Sequence, residues 1–368
     1  MRPIRFNRRN FHRLISGTIT ALLLVGFGPA FAAEAPKNAA DVWPYLMGLP
    51  AAERQAVTVR EATREGGLTV YGVLGIDRAK FITQAFEKKY PGVKVSFVRM
   101  MASAAPQKVN TEHKLGRVQH DIVIASGPIL LLLKDSIAPY EPTTWKKFDP
   151  RFVEGSAAKG WTAISYEILP MTIVMRTDRL KAGEKLPTTL DEVSNPMWKG
   201  RMGITTHLED FFDAMINLYG EQDGMKRIKK LAALESRTYK SYGSLARAVA
   251  SGEVDGAWNF GAHRAYWIQK KGVAAKFVFM KPSLGLGVTV SAVKGSPKPY
   301  SAALYMDFLT SASTLELLDK LERGHVFGNT EGTYSESLAD FSDMSIFQPL
   351  TPEKFSKFNR QAEKLFIR

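Results

Sequence analysis

The chain has 368 residues, no cysteine and a formal charge of +14, with 50 Lys and Arg against 36 Asp and Glu. Without cysteine there is no disulfide framework, so stability rests on apolar cores, and the length is enough for two domains. The basic residues are scattered among acids, with no stripe interleaved with aromatics, which argues against a dedicated nucleic-acid surface. The excess instead concerns solubility and attraction to anions or anionic membrane surfaces.

Residues 1–32 read as an export signal. They hold five arginines and no acid, then an apolar run over 14–27, then Ala30-Phe31-Ala32, the small-x-small pattern of a cleavage site. The run is shorter than the roughly 20 residues of a membrane-spanning helix. The mature chain is expected to begin near Ala33 as a soluble periplasmic protein, its formal charge lowered from +14 to +9 by loss of the five arginines. Arg8-Arg9 followed by Asn10-Phe11 resembles a twin-arginine signal, and an ordinary basic segment of a Sec signal is the other reading.

A leader, "PKNAADVWPYLMG", precedes a helix that Pro50 opens and Gly66-Gly67 stops, with Ala56, Val59 and Ala62 on one face. "LTVYGVL" is an apolar strand. Asp77 caps the next helix, on which Ile82, Ala85 and Phe86 form a stripe. "VKVSFV" alternates as a strand, a helix follows from about Pro106, and "DIVIA" is a short buried strand ending at Ser126-Gly127-Pro128. Strand–helix alternation with short loops predicts a mainly parallel sheet, with ligands beyond the carboxyl ends of its strands.

The second half repeats the style. "RMGIT" is a strand, Thr205-Thr206-His207 leads into a helix with Phe211, Met215 and Leu218 on one side, and Ser244 caps "LARAVASG". The strand 256–259 precedes a helix over 262–271. "WTAISYEILPMTIVMRTDRL" leaves one lobe for the other, and "FVFMKPSLGLGVTVSAVKG" returns. The expected organisation is a signal peptide over 1–32, a leader and helix over 33–67, a discontinuous first lobe of 68–165 plus 288–368, and a second lobe with the crossings over 166–287. Two α/β lobes joined by two crossings give a cleft, hinged near Tyr166 and Leu284.

Each candidate residue for that cleft carries two readings. Tyr71 ends the first strand and Tyr166 lies on the first crossing; either contacts a ligand or packs in a core. Ser126 follows the third strand and faces the cleft or forms a turn. Thr205 and Thr206 precede a helix, where capping and anion binding are compatible. Tyr242 stands before the "LARAVASG" helix. Asn259 ends its strand as the polar residue best placed in the second lobe. His263 opens a helix and is either a ligand contact or a helix-associated imidazole. No H-E-x-x-H, G-x-x-x-x-G-K-[ST] or G-x-S-x-G is present, and His113 and His120 are spaced without a metal-ligand pattern.

The segments "LTVYGVLG", "AFEKKYPGVKV", "DIVIAS", "NPMWKGRMGITT" and "YGSLARAVASGEVDGAWN" stand in the order and spacing of a known family. Over residues 68–311 the chain resembles the periplasmic solute-binding proteins of ABC importers, in the type II branch that includes ferric-ion binders. The resemblance implies an α/β two-lobed clamshell with two hinge crossings. It also implies a solute trapped in the cleft and delivered to permease subunits in the inner membrane, by a monomer without a cofactor. The iron-binding branch commonly uses a histidine, a glutamate and two adjacent tyrosines. Here Gly75, Gly127, Ala262 and His263 fall at those positions. Ferric iron prefers anionic oxygen donors, so the common set is missing; iron held by Tyr71, Tyr166 or Tyr242 is an alternative. Helix N-termini at the cleft, with His263 and Arg264 nearby, lean toward an anionic or zwitterionic organic solute such as a phosphonate or carboxylate. An exported enzyme could use the same cleft with His263 as a base, which needs a nucleophile or acid in reach. A sensory subunit would bind its solute by the same chemistry.

Overall fold

The computed structural model describes residues 34–102, 104–321, 324–328 and 338–367; the export signal lies outside them. Two helices, α1 (Ala39–Gly48) and α2 (Ala51–Glu65), come first. They precede β1 (Gly67–Gly72), α3 (Ile76–Lys89), β2 (Lys94–Arg99), α4 (Ala105–Lys114), β3 (Ile122–Ser126), α5 (Leu130–Leu133) and β4 (Val153–Ser156). The 16-residue β5 (Trp161–Arg176) then leads to α6 (Leu190–Val193), β6 (Met202–Thr205), α7 (Glu209–Ala232), β7 (Arg237–Tyr239), α8 (Tyr242–Ser251), β8 (Gly256–Gly261), α9 (Ala262–Lys270) and β9 (Ala275–Phe279). β10 (Leu284–Ala292) returns the chain to α10 (Pro299–Leu309), α11 (Ala312–Leu321), β11 (Val326–Phe327), β12 (Ser345–Ile346) and α12 (Pro352–Phe366).

The strands join in one mixed sheet of order β2-β1-β3-β10-β5-β8-β6-β7. β1, β2 and β3 run parallel in one half, and β6, β7 and β8 run parallel in the other. β5 belongs to both. Its first part, through Pro170, pairs with β4, β10 and β11, and from Met171 it pairs with β8 and β9. This strand and the β9–β10 return are the two crossings expected from the sequence. β5 is buried from Thr162 to Met175, as a strand covered on both faces is.

Several local expectations change. The "leader" is helix α1: Asn38 caps it by accepting from the Ala40 N–H (3.1 Å), and Ala39, Val42, Trp43 and Leu46 are buried at helical spacing. Pro44 and Gly48 disguise that period in the sequence. The buried face of α2 is Arg54, Val57, Thr58, Glu61 and Ala62, so Ala56 is exposed and Val59 only half-buried. Glu65 at the end of α2 accepts from the N–H groups of Tyr300 and Ser301 (3.1 and 2.7 Å), holding two of the donors that α10 cannot satisfy internally. α7 breaks at Gly220, whose φ of 77° no β-carbon favours, and Leu218 just before it is exposed.

The C-terminal helix departs most from the sequence-derived boundaries, which put it in the first lobe. Phe358, Ala362 and Phe366 of α12 are buried against the second half. The Phe366 ring lies 6.1 Å from Trp258 and 6.2 Å from Phe212, and Lys354 pairs with Asp213 at 2.8 Å. β12 pairs with β10 in the first half, so the chain crosses a third time to reach α12. A 3.6-residue apolar period shows that a helix is amphipathic; it does not say which core receives it.

Candidate functional site

Polar side chains from helices that follow strands of both halves meet at β5. On the first half, Gly75 is the N-cap of α3, so Asp77 is the exposed second residue of the helix rather than its cap. Arg78 in the same turn is 7% exposed and points inward. Its guanidinium donates to Glu167, the single acid in the apolar β5, and at 3.3 Å to His325 Nε2. Arginine has no acceptor, so His325 Nε2 accepts and the ring proton stands on Nδ1. Nδ1 lies 3.0 Å from Glu167 Oε2. His325 immediately precedes β11, and pairing of Val326 and Phe327 with β5 fixes it there.

On the second half, Gly261 ends β8 and caps α9. A β-carbon at Gly261 would stand 2.9 Å from the His263 ring, so only glycine lets that imidazole fold back over the helix start. Gly324, at φ 90°, runs against the His263 backbone, where a side chain would overlap it. The His263 and His325 rings lie 5.2 Å apart. Next along α9, Arg264 reaches toward the first half: a β-carbon at Gly75 would sit 3.7 Å from its Nη2.

α8 begins one turn earlier than expected. Ser241 is its cap, and Ser244 closes a reciprocal capping box with it. That makes Tyr242 the first helical residue and sets its ring edge-on to Phe260 (6.0 Å) and to His263 (6.3 Å). Burial, then the nearby charge of Asp210, pushes the Tyr242 phenol well above its ordinary range, with the Thr205 hydroxyl opposing. Burial and the Glu209 charge push Asp210 up to about 8, so this carboxyl stays largely protonated at neutral pH. Thr205 is buried at the end of β6, while the Thr206 N–H donates to Tyr239 O (2.9 Å) and extends the ladder. Asn259, 1% exposed, lies in β8 two residues before Gly261.

Among the residues singled out from the sequence, the structure gathers His263, Tyr242 and Thr205, with Asn259 on the adjoining strand. Tyr166 is buried in β5 beside Glu167; burial and then that charge raise its phenol far above normal. Tyr71 stands apart. Tyr71 packs toward α4: its hydroxyl donates to Glu112 (3.0 Å) and its ring stacks on His120 at 4.2 Å, which is the packing role. Ser126 pairs with Val288 at the β3–β10 edge and makes no side-chain cap. Arg78, Glu167, Asp210 and His325 were not singled out as site residues. A lone acid inside the apolar run "AISYEILPMTIVM" was the available signal for Glu167.

Arg78, Glu167 and His325 form one hydrogen-bonded group, and His263 and Arg264 approach it from the second half. Among the described residues, no group of three or more His, Asp or Glu side chains is arranged to hold a metal. The model of the bacterial extracellular solute-binding protein family matches residues 77–315. The chain belongs to that family. Comparison with curated protein sequences finds no match. This solute-binding protein has the fold of several solved structures. AfuA from Actinobacillus pleuropneumoniae, a periplasmic binding protein with fructose-6-phosphate bound, is 21% identical, with a TM-score of 0.64 over 81% of this chain and 96% of that one. Iron-bound HitA from Pseudomonas aeruginosa is 19% identical, with a TM-score of 0.67 over 80% and 99%. The substrate-binding protein of an ABC transporter from Agrobacterium tumefaciens is 15% identical, with a TM-score of 0.71 over 83% and 96%. The two-lobed type II architecture expected from the resemblance is therefore the architecture found, in a bacterial extracellular solute-binding protein. No helix among the described residues is long and apolar enough to cross a membrane.

Proposed function

We propose that this solute-binding protein captures a small anionic or zwitterionic organic solute between its halves and delivers it to the permease subunits of an ABC importer. The observation that carries the reading is the meeting of the Arg78–Glu167–His325 group with His263 and Arg264 at the junction of the two half-sheets. Helix N-termini at α3, α8 and α9 add N–H donors to the same place. The solute's anionic group binds Arg264 and His263, while Arg78 and His325 stay on Glu167. Tyr242, Thr205 and Asn259 form the second-half wall. Solute binding draws the halves together by twisting β5 and the β9–β10 return, near Tyr166 and Leu284.

Relatives with iron or a sugar phosphate bound show that this fold accepts different solutes, so the local charge decides. Ferric iron would meet two guanidinium groups here. The tyrosines offered for it in the sequence are dispersed: Tyr71 is engaged with Glu112, and burial disfavours the phenolates of Tyr166 and Tyr242. An enzymatic role is not favoured, because the family is one of solute-binding proteins.

Native mass spectrometry of the exported protein, with thermal shifts against organic phosphates, carboxylates, spermidine and ferric citrate, tests the reading. Stabilisation by an organic anion, reduced in Arg264→Gln, is expected. Stabilisation by spermidine or stoichiometric iron instead would overturn it.

A further inference from the structure

Asn259 is the extra residue of a bulge. Thr172 of β5 pairs with Phe260 and Val174 with Ala257, so a single β5 residue faces two of β8. Asn259 absorbs the mismatch with a left-handed φ of 48°. The bulge turns Phe260 into the same apolar cluster as Ala257, and the Thr172 hydroxyl donates to Phe260 O at 2.7 Å. The backbone requirement here is therefore clear, and glycine would meet it with less strain.

The side chain at this position is not explained by the backbone. Asn259 is 1% exposed, yet among the described residues neither its Oδ1 nor its Nδ2 has a hydrogen-bond partner. A buried carboxamide left bare keeps its full desolvation penalty, which folded proteins rarely tolerate. Its place shows what could satisfy it. Gly203 pairs with Ala257; Asn259 lies two residues beyond Ala257, and Thr205 two beyond Gly203. Thr205 ends β6 and Asn259 stands two residues short of the end of β8, on the strands that carry the proposed wall, and Asn259 is four residues before His263.

We infer that the Asn259 carboxamide is a specificity contact for the solute, with Nδ2 donating to a solute oxygen and Oδ1 accepting from a solute O–H or N–H. This rests on the reading of the junction as an anion site and narrows the class of anion. A fully ionised inorganic oxyanion has only acceptors and leaves Oδ1 bare; a metal ion leaves Nδ2 bare. The solute is an organic anion with a hydroxyl or ammonium group near its charge: a hydroxylated phosphate ester, a hydroxy acid or an amino acid.

The test uses the full exported chain and the variant Asn259→Gly, which keeps the left-handed backbone and deletes the amide. Probes are fructose 6-phosphate and citrate as hydroxylated anions, glutamate as an aminated one, and sulfate as an anion without a donor. We expect one donor-bearing probe, or a donor-bearing anion carried from the cell and seen by native mass spectrometry, to bind far more tightly than sulfate. Asn259→Gly should weaken it ten- to hundredfold, while the ligand-free melting temperature holds or rises. Which probe class responds separates hydroxyl from ammonium. Sulfate binding as tightly as any donor-bearing probe overturns the inference, as does full affinity in Asn259→Gly; both leave the anion site standing. A lowered ligand-free melting temperature with affinity intact assigns the amide to an internal water and also overturns it. Undiminished affinity in Arg264→Gln sinks the anion site itself, and a wild-type protein that binds no probe and carries no solute sinks both.

Discussion

The imidazoles of His263 and His325 lie 5.2 Å apart at 49°, one at the start of α9 and the other beside β11. His325 is bound into the Arg78–Glu167 pair, and His263 meets Tyr242 edge-on. The two rings thus join the polar groups of the two half-sheets.

His263→Ala breaks that junction on one side only. Its α9 start is held by Gly261 and by the Gly324 backbone, so the fold should survive. Affinity for an organic anion should fall roughly tenfold, about 1.4 kcal/mol. Calorimetric titration measures the effect.

Asp210 gives a stability signature. Its carboxyl is raised to about 8 in the folded chain by burial and Glu209, against about 3.9 when unfolded. Between these values the native state holds the proton that the unfolded state releases, so stability falls as pH rises through that window. Asp210→Asn should remove this loss. Its melting temperature should exceed the wild type's by more at pH 8.5 than at pH 5, as followed by circular dichroism.

Tyr71→Phe separates packing from binding. It deletes the hydroxyl bonded to Glu112 but keeps the ring on His120. Denaturant unfolding should show a loss of about 1 kcal/mol, with solute affinity unchanged. A large affinity loss would return Tyr71 to the site.

Phe358→Ala tests the seat of α12. The ring is buried beside Phe212 at 6.0 Å, and deleting it should cost about 3 kcal/mol. Hydrogen exchange should show α7 and α12 losing protection together while α10 and β1 keep theirs.

The α/β alternation and the two crossings were legible because strand and helix periods differ and because β5 is a long, mostly apolar run. His263 and Tyr242 were legible because both follow a strand–loop signal or stand at a helix start. Arg78 was not, since Asp77 beside it looked like a cap and an arginine in a first helical turn resembles any solvated cation. His325 could not be found from local pattern at all, because its role depends on β11 pairing with a strand about 160 residues earlier in the chain. Tyr71 misled for the opposite reason: it ends a strand that points at the site, but strand alternation sends its side chain to the α4 face.

β5 has one further consequence. A single 16-residue strand serves both half-sheets without a loop between them. A loop hinge concentrates motion in a few slack dihedrals, whereas a laddered ribbon resists shear and bending in its plane and yields to torsion. The Glu167 carboxylate rides on this torsion bar, with Pro170 and Met171 marking where its partners change from β10 to β8. Any rotation of the second half therefore turns about the same strand that anchors the central charge. Geometry at the Arg78–Glu167–His325 group and the angle between the halves are in this sense one mechanical coordinate.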